Sequence, residues 1–267
     1  MVSHLLPHFN VKHIFIVSEG QTDFEIIKAV VEHIFTKSGG CTITPLFPTT
    51  QQDEDKGGWG NLRNWCKRQA NTLVAHQGKM AAARLLGGIE KEVAFAARPS
   101  GDRLSAALFL HGGAESKVII QLDTDVVEDF TEQAELVKFS HPLSASDRHK
   151  LGKLALDSWL GLHVNKVGDS ILYCLSTHAT ETFLLATHSQ EQVAQLVGHA
   201  GGKLNYDNLP KPERLLLALG YAGKNNAGVR KLRKEVPRYK EYAKKIPQSF
   251  GLARSNSKVL NEFCDSL

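Results

Sequence analysis

The chain has 267 residues, a formal net charge of +4, and is 42% hydrophobic and 22% charged. That balance belongs to an ordinary globular protein with enough length for one large domain or two small ones. It excludes a uniformly polycationic chain, and no apolar run approaches the roughly 18 residues that a membrane helix needs.

His13 to Ser18 is a short apolar run that reads as a buried strand. It ends at Glu19-Gly20. Thr22-Asp23-Phe24-Glu25 then has the form of a capping box, with the Thr side chain bonding a backbone N–H and Glu25 reaching back. Ile26, Ile27, Val30, Val31, Ile34 and Phe35 supply an apolar helical stripe that Ser38-Gly39-Gly40 closes. Cys41 to Phe47 reads as a second strand, stopped by Pro48. The opening is thus β-α-β, with parallel strands and a right-handed crossover expected.

A polar loop follows from Thr49 to Gly60. Helices are expected over Asn61 to Gln77 (Leu62, Trp65, Cys66, Leu73 and Val74 inward), Met80 to Ala97, and Leu104 to Leu110. Lys117 to Leu122 is a second continuous apolar strand, and it runs into Asp123-Thr124-Asp125. Ser146 to Leu160 reads as a helix, Ser170 to Ser176 as a strand, and Thr180 to Val197 as a helix carrying Glu181. The last seventy residues read as helical and loop-rich, with Gly201-Gly202, Pro210 and Pro212 as joints. The expected fold class is α/β: a Rossmannoid parallel sheet flanked by helices, with a helical insertion at about 51–115 and a mostly helical C-terminal region. The expected division is a domain over 11–197 and a basic helical region over 198–267.

In an open α/β sheet, ligands bind in the crevice at the carboxyl ends of the strands. Glu19, Asp123 and Asp125 are therefore expected at one site. Asp123 and Asp125 are two apart and share a face if the chain is extended there. Three close carboxylates repel, so one keeps a proton unless a cation neutralises them. Hard oxygen ligands of this kind suit Mg²⁺ or Mn²⁺. Asp23 either completes a second metal site or complements the helix dipole. Glu181, at a helix start, has the same two readings. Glu128 and Asp129 read as solvated acids. His178 is a phosphate contact or a capping residue. Trp59 and Trp65 either stack on bases or pack in the core.

Charge is unevenly spread. Lys211 to Pro247 carries eleven basic and three acidic residues, a local +8. Arg230, Lys231, Arg233 and Lys234 form its densest run and are the candidate nucleic-acid contacts, against the plainer reading of a solvated helical face. Cys41, Cys66, Cys174 and Cys264 form no CxxC pair and read as free thiols. Met1 to His8 lacks a basic stretch followed by an apolar core, so no signal peptide is expected and the cytoplasm is the default compartment.

The strand ending Val17-Ser18-Glu19-Gly20, the helix after it, and the strand ending Asp123-Thr124-Asp125 together resemble the Toprim domain. That domain occurs in topoisomerases, bacterial primases, recombination mediators and nucleases of the overcoming-lysogenization-defect type. Glu19-Gly20-Gln21-Thr22-Asp23 is similar to the Glu-Gly-x-Thr-Glu motif of small stand-alone Toprim-like proteins. Glu181-Thr182-Phe183-Leu184-Leu185-Ala186 matches their later Glu-Thr-Trp-Leu-Leu-Ala segment. The resemblance covers roughly residues 11–185. It implies proton transfer or metal ligation by Glu19 and Mg²⁺ or Mn²⁺ binding by Asp123 and Asp125. Asp23 matches the second acid of the Glu-Gly-x-x-Glu nuclease variant.

The function this implies is a divalent-metal-dependent nuclease acting on DNA or RNA, as an effector of anti-phage defence or a repair factor. A companion regulatory protein of ATPase type and self-association are compatible with that family. The alternative is a non-enzymatic Toprim protein that binds nucleic acid and loads partners on it. Reading Asp123-x-Asp125 as a phosphatase motif fails to explain the β-α-β unit before it, and a glycosyltransferase reading leaves Glu19-Gly20 unexplained.

Overall fold

The computed structural model describes residues 12–36, 38–49, 58–71, 104, 107–108, 116–130, 143–162, 170–226 and 228–267. Four strands form one all-parallel sheet in the order β2-β1-β3-β4: β1 is Lys12–Val17, β2 Cys41–Phe47, β3 Ser116–Asp123 and β4 Ile171–Ser176. Helices flank it, so the fold is α/β with a Rossmannoid sheet.

Strand alternation divides the interior in two. Ile14 and Ile16 of β1 and Ile119 of β3 face one layer, where they meet Ile26, Ile27 and Val30 of helix α1 (Gln21–Thr36). Phe15 and Val17, with Val118, Ile120 and Leu122, face the other, against Leu62 and Trp65 of a helix over 59–71 (α2) and Leu156 and Trp159 of α3 (Ala145–Leu160). Burying an aliphatic side chain of this size contributes about 1.5–3 kcal/mol, so both layers hold the sheet. The first layer continues into the C-terminal region: Leu216, Tyr239, Ile246, Leu260 and Phe263 belong to the same core as Ile14. Residues 198–267 thus pack on the α1 side of the sheet.

Gln121 and Asp123 have the parity of Ile119 and face that same side. So does Ser176, which is paired in register with Asp123. This parity is what directs the end of β3 toward α1 and the C-terminal helices.

Several boundaries depart from expectation. Helix α1 begins at Gln21, so Thr22 lies inside its first turn and the expected box does not form; Glu25 instead lies 3.7 Å from Lys240. The expected helix over Thr180 to Val197 is two: α4 (Glu181–Leu185) and α5 (Gln190–Val197). Ser189 starts the second with a true capping box, accepting from the Gln192 N–H while Gln192 reaches back. The C-terminal region is not only helical. It holds an antiparallel ribbon of β5 (Gly223–Asn226) and β6 (Val229–Leu232) between helices α6 (Pro212–Ala218) and α7 (Val236–Ala243). The helix expected over Met80 to Ala97 and most of that over Leu104 to Leu110 lie outside the described residues, as do Leu73 and Val74. No helix among the described residues is long and apolar enough to cross a membrane.

Candidate metal centre

The chain leaves β1 for β2 on one side and returns as β3 on the other. A crevice opens at such a switch of direction, outside the carboxyl ends of the strands. Glu19 lies two residues past β1, and Asp123 is the last residue of β3.

A fully buried amide joins the two ends. Gln121 Oε1 accepts the Glu19 N–H at 2.9 Å, and its Nε2 donates to Asp123 Oδ1 at 2.7 Å and to Thr180 Oγ1 at 2.9 Å. Glu19 Oε1 in turn accepts the Asp123 N–H at 2.7 Å. Asp123 Oδ1 also accepts from Ser176 Oγ, from the Thr180 N–H at 3.1 Å and from Thr180 Oγ1 at 2.9 Å. Every one of these bonds falls on Oδ1, which leaves Oδ2 for a ligand.

Two more acids close around Asp123. Asp23 sits in the first turn of α1 and is buried, with its Oδ1 lacking any hydrogen-bond partner. Gly20 makes room for it: a Cβ there would lie 3.1 Å from Asp23 Oδ2. Glu181 is fully buried at the start of α4. Its Oε1 accepts from Tyr239 OH at 2.6 Å and lies 2.9 Å from Lys234 Nζ, while its Oε2 has no partner. One carboxylate oxygen each from Asp23, Asp123 and Glu181 lie within 4.8 Å of one another. A buried polar atom left unpaired costs roughly 1–3 kcal/mol, and more when charged. Two such oxygens in one cluster fit a directly bound hard divalent cation.

Electrostatics agrees. Burial and then the Glu181 charge push Asp123 up to about 7, against the lowering effect of its hydrogen bonds and Lys234. Burial, then Asp123 and Glu181, hold Asp23 well above the usual carboxylate range. Burial and the Asp123, Asp23 and Asp125 charges raise Glu19, although the Asp123 N–H offsets part of this. Asp123, Asp23 and Glu19 are thus biased toward their protonated forms, a bias that a bound cation would oppose.

Asp125 departs from the expected shared face. Strand β3 stops at Asp123, and residues Thr124–Asp129 form a 3₁₀ helix, so the chain is no longer extended between the two aspartates. Asp125 is exposed and outside the close cluster of three. Burial of part of its carboxyl and the Glu213 charge raise its pKa, with Arg148 opposing. Glu128 pairs with Arg148 at 2.7 Å. Trp65 is core, 6.0 Å from Phe47, and Trp59 packs 5.1 Å from Phe130. His178 is half-buried, and burial followed by Arg148 lowers its pKa.

The basic run does not present one surface. Lys234 reaches Glu181, Arg233 pairs with Glu235 at 2.5 Å, and Arg230 lies over Gly223. Lys231 stands exposed on β6. Elsewhere in the segment, Arg238 lies 3.3 Å from Glu235 and Lys244 lies 2.7 Å from Glu241.

The residues that sequence reasoning missed are Gln121, Ser176, Thr180 and Tyr239. Gln121 carried a signal, as the one polar residue inside Val118 to Leu122 and at the parity of Asp123. Tyr239 and the inward reach of Lys234 come from the C-terminal region and had none. No family model, no curated protein and no solved structure matches the chain.

Proposed function

We propose that the chain is a Mg²⁺- or Mn²⁺-dependent nuclease of Toprim-like type, hydrolysing phosphodiester bonds of DNA or RNA. One observation carries this reading: the unpartnered buried oxygens of Asp23 and Glu181, clustered with Asp123 at the switch point of a parallel sheet. Asp23, Asp123 and Glu181 would hold the metal, with Glu19 beside them. When bound, the metal supplies a Lewis acid that polarises a phosphoryl oxygen and neutralises developing charge.

The remaining roles belong to the protein. Gln121 and Thr180 fix the Asp123 carboxylate through Oδ1, so Oδ2 carries none of these bonds. The Asp123 N–H pins Glu19 Oε1, which leaves Oε2 to take or give a proton, and a raised pKa suits that task. Lys234, about half exposed at 49%, places an ammonium at the edge of the cluster, where it attracts a polyanion.

A second reading has one observation in its favour. The Lys234 ammonium already supplies a positive charge to the cluster, and a non-enzymatic nucleic-acid loading protein would rely on that alone. It leaves Asp23 Oδ1 and Glu181 Oε2 unpaired, which weighs toward the metal. A role in anti-phage defence or repair and an ATPase-type companion rest on the family resemblance, and a cytoplasmic setting on the sequence of the first residues.

The test is incubation of the purified chain with plasmid, single-stranded DNA and tRNA, in Mg²⁺, Mn²⁺ or chelator. Cleavage that needs metal and disappears in Asp123→Asn is the expected result. Binding without cleavage under every condition would establish the second reading.

A further inference from the structure

The β5–β6 ribbon pairs Gly223 with Leu232, Lys224 with Lys231, Asn225 with Arg230 and Asn226 with Val229. Its two faces differ. Gly223, Asn225, Arg230 and Leu232 share one face, and Leu232 is buried in the core. Arg230 lies along Gly223 so closely that a Cβ there would come 2.7 Å from its Nε and 2.9 Å from Leu217. Arg230 is exposed, but its side chain runs along Gly223 on the face that Leu232 shares.

Lys224 and Lys231 stand directly opposite one another on the other face, and both are exposed. Among the described residues, neither makes an ion pair. Like charges directly opposite across an antiparallel pair are destabilising, and a two-stranded ribbon has little stability to spare. Val229, at the far end of the same face, is 51% exposed. An opposed lysine pair that makes no ion pair among the described residues is complementary to a polyanion.

We propose that this outward face grips the backbone of duplex nucleic acid beside the acidic centre. The inference rests on reading the chain as a nucleic-acid protein, and of the Arg230-to-Lys234 run it keeps Lys231 as a phosphate contact and adds Lys224 opposite it. Two features specify a duplex. The ribbon has no aromatic side chain from Gly223 to Leu232 on which single-stranded bases could stack. A two-stranded ribbon also has the width that a major groove admits. Position supports the assignment. Lys231 is three residues before Lys234, at most about 11 Å of chain, and Lys234 touches Glu181. The ribbon therefore holds the strand next to the site where it would be cut.

The test measures binding of the full-length chain, in chelator, to a short labelled duplex and to its single strand across a salt series. Lys224→Gln with Lys231→Gln should weaken duplex affinity at low salt by about tenfold and flatten the slope of log K against log salt by about two, near 0.9 for each lost contact. Lys231→Glu separates binding from folding. It faces Lys224 with an opposite charge, so its melting temperature should equal or exceed that of the native chain while duplex affinity falls. Unchanged duplex affinity and slope in both variants would overturn the proposal. So would a loss confined to the single strand, or tighter binding to polyglutamate than to duplex. Mn²⁺ calorimetry on Asp123→Asn in parallel keeps the two readings apart. Undiminished metal affinity there removes the metal centre alone, whereas failure of the lysine variants removes the ribbon alone.

Discussion

Glu19 and Asp123 hold one another across the junction of β1 and β3: the side chain of the first accepts the backbone N–H of the second at 2.7 Å. Glu19 thus has one carboxylate oxygen tied into the fold. Glu19→Gln can keep the structural bond through its carbonyl oxygen and lose only the titrating group. Turnover should fall by about 10²- to 10⁴-fold, the range for loss of a general acid or base, with the melting temperature nearly unchanged. Single-turnover cleavage in Mn²⁺, set beside thermal melting, checks both. Full activity in Glu19→Gln would reject the proton-transfer role.

Asp123 should respond differently to two substitutions. In Asp123→Asn the retained carbonyl oxygen accepts from Gln121, Ser176 and Thr180 as before, and one charge leaves a repelling cluster. Metal-free stability should hold or rise while Mn²⁺ affinity drops by at least about tenfold, or 1.4 kcal/mol. Asp123→Ala strands those donors without an acceptor. It should destabilise the chain by several kcal/mol, at about 1–3 kcal/mol for each buried unsatisfied group. Denaturant unfolding of the two variants should rank them in that order, and the opposite order would refute the hydrogen-bond assignment.

The raised carboxylates also make the metal-free protein sensitive to pH. Asp123 is pushed up to about 7, and Glu19 and Asp23 are raised too. In the unfolded chain these groups release protons near pH 4. The native state therefore binds more protons between roughly pH 4 and pH 7. The stability this contributes is fully present below the unfolded values and is lost as pH rises through the folded ones. In chelator the melting temperature should fall from about pH 5 to about pH 8, and less steeply in Asp123→Asn. Mg²⁺ or Mn²⁺ should reduce the fall, because the metal binds the deprotonated ligands. A melting temperature independent of pH in chelator would contradict the buried-cluster account.

The sheet was legible in sequence because its two central strands, β1 and β3, are buried on both faces. Runs such as His13 to Ser18 and Lys117 to Leu122 admit few other interpretations. The ends of those strands located Glu19 and Asp123 for the same reason. Asp125 does not share the face of Asp123, because period-two spacing holds only while the chain stays extended and β3 ends at Asp123. The ribbon escaped notice because Lys224 to Asn226 and Val229 to Leu232 lack an alternating apolar pattern, while Leu232 is buried in the core. Lys234 and Tyr239 could not be assigned to the centre from local pattern, since their link to Glu181 spans more than fifty residues and exists only once the C-terminal helices dock on α1.

Lys234 supplies the prediction that runs against all the carboxylate variants. Burial alone would lower its pKa, but Glu181, Asp23 and Asp123 outweigh that and raise it, so the ammonium is firmly charged. In the metal-free protein its Nζ lies 2.9 Å from Glu181. A divalent cation entering the cluster meets that ammonium as a like charge. Lys234→Met should therefore tighten Mn²⁺ binding by about tenfold, while lowering stability in chelator at neutral pH because the carboxylates lose their compensating charge. Glu181→Gln and Asp23→Asn should do the reverse on both counts, weakening metal binding and easing repulsion. Calorimetry with Mn²⁺ and melting in chelator read the two signs independently. If Lys234→Met instead weakened metal binding, the ammonium would be a support of the metal centre and not its competitor, and the charge balance described for Asp23, Asp123 and Glu181 would have to be redrawn.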